Sequence, residues 1–292
     1  MKGTSRFAMP RFARRRAIGL FATAVVLLAA HGEARSEGLS AAYAITLAGL
    51  SVGDASLTLA STAATYRAKL AMRLSGIAGL LTGARGAAEA TGSLAGARPT
   101  PVSYAITTTN GHAMRTVRMV LQGGTVAGLE VKPPVDAFDD RVPVTEANKI
   151  DVLDPISALV MPAPRPEKPL DPSGCDRKLA VFDGVARFDV TLSYARTGNA
   201  AFTGYSGPAL VCSARYTPIA GHRTSLRATS YMAENREMEV ELAPVAGTHL
   251  LVPVKISVRT LFGMLEIDAV SARPRADNSE ARTPGAQAGA EK

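Results

Sequence analysis

Hydrophobic and polar residues alternate with a period of two along most of this chain. In residues 66–74, Tyr66, Ala68, Leu70, Met72 and Leu74 fall on one face, with Arg67, Lys69 and Arg73 on the other. A helix would spread those charges round its circumference; a strand separates them. Residues 187–194 repeat the pattern, Phe188, Val190, Leu192 and Tyr194 alternating with Arg187, Asp189, Thr191 and Ser193. Residues 237–242 set Met238, Val240 and Leu242 against Glu237, Glu239 and Glu241. Weaker alternation predicts strands at about 41–48, 53–60, 86–94, 101–109, 114–121, 125–132, 178–183, 208–217, 250–259 and 263–271. Turn signals divide them at Ala48-Gly49, Gly123-Gly124, Asp183-Gly184 and Phe262-Gly263. Asp183-Gly184, between two alternating runs, predicts a tight hairpin, because the central residues of such turns need positive φ.

One stretch departs from the alternation. Residues 152–162 contain Asp154-Pro155, a capping residue followed by a proline suited to a first helical turn, and Ile156, Leu159 and Val160 share a face. They predict a short helix near 154–161, followed by the Pro-rich connector 162–172. Residues 273–292 lack periodicity and are expected to be a disordered tail. The expected protein is therefore mainly β. Residues 38–272 would form a single β-rich domain, an antiparallel sheet curled into a barrel or half-barrel that covers its own face and edges, with the helix as plug or lid. A split into two domains at the connector is the alternative.

The first 34 residues read as a signal peptide for export. Lys2, Arg6, Arg11 and Arg14-Arg15-Arg16 precede the uncharged apolar run 17–30, and Gly32-Glu33-Ala34 offers a small-x-small cleavage site. That run is short of the roughly 20 residues a membrane helix needs, although an uncleaved anchor is the competing reading. No later stretch is apolar enough to span, so a periplasmic location follows. Export also changes the charge picture. The chain has 33 basic and 25 acidic residues, net +8; six of the basic residues and one acidic residue lie in 1–34, leaving +3 for the rest. With no basic stripe interleaved with aromatics, nucleic acid is not an expected partner.

Cys175 and Cys212 are the only cysteines. An even count in an oxidising compartment points to one disulfide, worth about 4 kcal/mol in the chain-entropy model. Two buried free thiols are the alternative, and zinc is disfavoured because no further ligand sits at the right spacing.

Candidate chemistry is sparse. His112, His222 and His249 lie in loops or at a strand start and form no pair at metal spacing. Gly204-Tyr205-Ser206-Gly207-Pro208 resembles a nucleophile elbow, but its second glycine adjoins Ser206 and a strand follows, so it reads as a turn. There is no phosphate loop or dinucleotide fingerprint, and no cofactor or catalytic residue is nominated. The inward residues Leu70, Met72 and Leu74, with Ile77, Leu80 and Leu81 of the apolar loop 76–82 and Ile156 and Leu159 of the short helix, are nominated as walls of an apolar groove. They would equally suit a dry, packed core.

Several stretches carry a family resemblance: DPISAL at 154–159, YSGPALVC at 205–212, APVAGTHLLVPVKISVRTLFG at 243–263, and an opening Tyr43 strand followed by Gly49 and Gly53. On these the chain, from about Tyr43 to Ala272, resembles the domain of unknown function 3108 family of exported Gram-negative proteins, in its alphaproteobacterial branch. The resemblance implies a periplasmic, barrel-like fold and transfers no catalytic residues. It also suggests a distant likeness to curled-sheet envelope proteins that carry lipid-like molecules. Three functions are therefore carried forward: a periplasmic protein that binds an apolar or lipid-like ligand or supports the cell envelope, an interaction scaffold for envelope proteins with a solid core, and a hydrolase whose site assembles only in the fold.

Overall fold

The computed structural model describes residues 37–276, apart from 77–78, 80–82, 95–97, 112, 137–139 and 247. The expected export segment 1–34, residues 277–292 of the expected tail, and His112, Ile77, Leu80 and Leu81 lie outside the described residues.

Seven strands run in a meander: β1 (Glu37–Leu47), β2 (Leu50–Ser61), β3 (Thr65–Leu74), β4 (Arg85–Ser93), β5 (Thr100–Asn110), β6 (Ala113–Gln122) and β7 (Thr125–Lys132). After a long crossing segment with the two-residue β8 (Met161–Pro162), a second meander follows. It comprises β9 (Arg177–Phe182), β10 (Arg187–Phe202), β11 (Tyr205–Ala220), β12 (Met238–Pro244), β13 (Leu250–Thr260) and β14 (Gly263–Ala276), with helix α1 (Arg227–Glu234) between β11 and β12. The first and last long strands pair, giving the sheet order β7-β6-β5-β4-β3-β2-β1-β14-β13-β12-β11-β10-β9, with β8 on β13. All neighbours along this order are antiparallel.

The alternation predicted from sequence is the pleat of this sheet. On β3, Tyr66 and Ala68 are buried between exposed Arg67 and Lys69. The tight turns also follow their residues: Ala48 and Gly49 both have positive φ, as do Gly123 and Gly124, which matches the right-handed twist of the strands they join.

The sheet curls without closing, and its free edges at β7 and β9 are joined by the crossing segment. Val152 N–H donates to Gly124 O at the β6–β7 turn (2.8 Å), while Leu153 pairs in parallel with Val181 of β9. The next residues turn inward. Asp154 and Ser157 are fully buried, as is Val152, and Ile156 and Val160 are nearly so. They join the core under the first meander, while Leu153 and Ala158 join the core around Cys175 and Cys212 under the second. The segment thus covers exposed edges, a standing liability of open sheets, and plugs the curl. Cys175 and Cys212 form a disulfide.

Three expectations need correction. The short helix near 154–161 is a single 3-10 turn, Ser157–Leu159, because Met161 and Pro162 are drawn into pairing with β13. An α-helix that the sequence reading did not expect lies at Arg227–Glu234, and none of its residues is fully buried. The Asp183-Gly184 hairpin is a four-residue connection in which only Gly184 has positive φ, and the Asp183 carboxylate instead accepts N–H bonds from Val185 and Ala186. Finally, β14 runs to Ala276, past the expected start of the tail at 273, because Arg273, Pro274 and Arg275 pair with Ser40, Leu39 and Gly38 of β1.

Candidate functional site

The β10–β11 hairpin is much longer than its local pattern indicates, sixteen residues in each strand. β12 pairs with β11 only over Leu210–Ser213, so the far half of the hairpin leaves the sheet and folds across it. Its tip reaches β14, skipping β12 and β13. There Thr203 N–H donates to Val270 O (3.3 Å), and Ala272 N–H donates to Thr203 O (2.8 Å). Gly204 permits the approach: at φ +94° it lies so close that a Cβ would stand 1.8 Å from Ala272 O.

Beneath this flap lies a partly open groove of about 190 Å³. Its floor is Leu39, Ala41 and Tyr43 of β1, Val252 and Val254 of β13, and Ala269 and Ala272 of β14; Ala243 to Ala246 close one side. Phe202 and Tyr205, stacked with ring centres 5.5 Å apart, form the roof. The space exists because alanine and glycine occupy many inward positions where larger aliphatics would fill the pleat.

The groove carries no charge. Its two phenols are both spoken for, Tyr43 OH donating to Pro253 O (3.0 Å) and Tyr205 OH to Pro208 O (2.6 Å). Burial pushes the Tyr43 phenol up to about 12, so it stays neutral at any physiological pH. Strand backbones spend their N–H and C=O groups in the ladder. What the walls offer is apolar surface.

The second notable cluster is the plug. Asp154 Oδ1 accepts N–H bonds from Ile156 and Ser157, both at 2.9 Å, and Ser157 Oγ donates to Asp154 Oδ2. Tyr66 OH lies 2.5 Å from Ser157 Oγ. Burial raises the Asp154 carboxyl above its ordinary range, opposed by those hydrogen bonds, and burial likewise raises the Tyr66 phenol. No groove reaches this triad: Asp154 and Ser157 have no exposed surface and Tyr66 almost none. Its geometry is that of a satisfied buried turn, which ties the DPISAL segment to β3.

The residues nominated for a groove are scattered. Leu70 is half-buried against the first core, Met72 is exposed, Leu74 and Leu159 are half-buried, and Ile156 is core. None of these described residues lines the groove beneath the flap. Sequence reasoning followed large aliphatics, whereas the groove is marked by small residues at inward strand positions, Ala41, Ala243, Ala269 and Ala272. Neither His222 nor His249 has a side-chain hydrogen bond to a carboxylate or hydroxyl among the described residues, and Ser206 is exposed on the hairpin. Among the described residues no cluster of His, Cys, Asp and Glu could hold a metal ion, and no helix is long and apolar enough to cross a membrane.

A curled, incompletely closed antiparallel sheet with an internal plug and a flap over an apolar groove defines a β-barrel-like protein. The chain belongs to the family described as Protein of unknown function (DUF3108), whose model matches residues 42–270. No curated protein matches it. Among solved structures it is similar to the beta-barrel-like protein of domain of unknown function DUF1849 from Brucella abortus. That match has a TM-score of 0.46 and 9% identity, and covers 83% of this chain and 98% of the other.

Proposed function

We propose that this protein is exported to the periplasm and binds an apolar, lipid-like molecule in the groove beneath the β10–β11 hairpin. The observation that carries the reading is a mainly apolar groove whose lining residues bear no charge and whose two phenols are already hydrogen-bonded, which rewards burial of hydrocarbon. The disulfide and the basic-then-apolar pattern of residues 1–34 support export.

The groove's size constrains how binding works. At roughly 30 Å³ per methylene, a water-sized volume, 190 Å³ admits about six groups. At about 0.8 kcal/mol each they contribute roughly 5 kcal/mol, little more than the lower bound of about 4 kcal/mol that association costs. The closed groove therefore holds a chain segment weakly. Lifting the hairpin tip, held to β14 by two backbone hydrogen bonds, would lengthen the groove and let a longer acyl chain lie along β1 and β14.

Native mass spectrometry of the protein from the periplasmic fraction, before and after organic extraction, tests the reading. A retained lipid-sized mass that extraction removes supports it and identifies the ligand. A bare polypeptide that takes up no fatty-acyl or phospholipid probe after extraction refutes ligand binding and favours a scaffold for envelope proteins.

A further inference from the structure

We infer that one end of the sheet, formed by the β1–β2 and β13–β14 turns, docks on an anionic phospholipid bilayer. The inference is independent of whether the groove is occupied.

The two turns sit side by side. Ala48 N–H donates to Met264 O (2.8 Å), and a Cβ on Gly263 would come within 2.7 Å of the Ala48 Cβ. From this pair of tips project three large apolar side chains, Phe262 (80% exposed), Leu50 (69%) and Leu261 (47%). Folding gains nothing from leaving them in water. Their position at the extreme ends of strands is that of groups that can enter an interface without disturbing the sheet behind them.

The strand ends beside them carry several arginines, some paired and some not. Arg73 of β3 stands directly opposite Arg85 of β4, a like-charged cross-strand pair that costs stability. Arg73 is partnered by Asp54 (2.7 Å), whereas Arg85 has no acidic partner among the described residues. Arg115 near the start of β6 also lacks one, and Arg259 beside the β13–β14 turn is paired with Glu237. A shallow depression at Arg73 and Arg85 is lined by Ser56, Thr107 and Thr109, with the Asp54 carboxylate held by Arg73. Guanidinium groups with hydroxyls at hand suit phosphate oxygens.

Apolar tips flanked by Arg85 and Arg115, which have no acidic partner among the described residues, suit a membrane interface, where aromatic and aliphatic groups enter the acyl boundary and cations meet anionic headgroups. A second copy fits less well, since a symmetric contact would set the same arginines face to face.

The chain contains no tryptophan, which makes the test direct. Phe262→Trp places a sole tryptophan, excited selectively over the tyrosines, at the tip; Val102→Trp places one at an exposed site near the start of β5, at the opposite end of that strand from Arg115's neighbour Thr108. Each variant is titrated with vesicles of phosphatidylglycerol and phosphatidylethanolamine carrying brominated acyl chains, and with phosphatidylcholine vesicles. The expected result is a blue shift and quenching at position 262 with anionic vesicles only, and none at position 102. Adding Arg85→Gln and Arg115→Gln should raise the lipid concentration for half-maximal change by about 30-fold. No change at position 262, equal changes at both positions, or a lipid-independent shift that grows with protein concentration would overturn the proposal; the last would assign the surface to a second copy.

Discussion

Gly204→Ala isolates the flap from the rest of the fold. The added methyl would stand 1.8 Å from Ala272 O on a residue at φ +94°, so the closed hairpin cannot accept it without moving. Positive φ alone costs a non-glycine residue about 1–2 kcal/mol. Undocking the tip relieves the clash at the expense of two backbone hydrogen bonds, each worth about 1 kcal/mol net, and of the contacts that Phe202 and Tyr205 make with the core. Beyond Leu210 the hairpin pairs only with itself and this one contact on β14. The least costly response is therefore for the tip to lift while the sheet stays folded. Amide hydrogen exchange reads this out at the two donors, Thr203 N–H and Ala272 N–H. About 2 kcal/mol of lost docking corresponds to roughly 30-fold faster exchange at these two amides. The β11–β12 amides from Leu210 to Ser213, beside the disulfide, should exchange as before. Unchanged protection at Thr203 and Ala272, or loss of protection throughout the sheet, would refute a hinged flap.

Other consequences are equally specific. Replacing Cys175 and Cys212 together by alanine opens a link across a sequence separation of 37 and should cost about 4 kcal/mol, read from chemical denaturation; unlike wild type, the variant should be indifferent to reductant. Ser157→Ala removes a donor from buried Asp154 and should destabilise by about 2 kcal/mol, because the carboxylate keeps its burial and loses a partner. Asp154→Asn should be tolerated to within about 1 kcal/mol, since its carbonyl can still accept the Ile156 and Ser157 amides while its amide donates to Ser157 Oγ. The Asp154 carboxyl is raised in the folded state, so the native protein holds that proton more tightly than the unfolded chain. Wild type should then lose stability relative to Asp154→Asn as pH rises from about 4, and parallel denaturation curves for the two proteins from pH 4 to 7 would contradict this sign.

Almost every long strand was legible in the sequence because the pleat imposes its period of two on the residues themselves, as at Tyr66, Ala68 and Leu70. Ala48-Gly49 and Gly123-Gly124 were legible for the same local reason, positive φ at adjacent residues. The disulfide followed from cysteine parity and a compartment inferred from residues 1–34. Where the chain's conformation depends on distant partners, local pattern misled. Residues 154–161 carry a helix cap and an apolar face, yet pairing of Met161 with β13 stops them after one 3-10 turn. Arg273 to Arg275 look like tail and become strand because Gly38 to Ser40 lie alongside.

The groove was not legible at all. Periodicity says which residues face inward, and so singled out the large ones, Leu70, Met72 and Leu74. It does not say which inward faces meet, or where small residues from different strands coincide to leave a gap. That was settled by the pairing of β1 with β14 and by a hairpin long enough to cross to Ala272. The sequence by itself determined strands, turns and the covalent link, which are local or additive. Tertiary structure alone decided where the sheet stays open, because a cavity is a property of several strands at once.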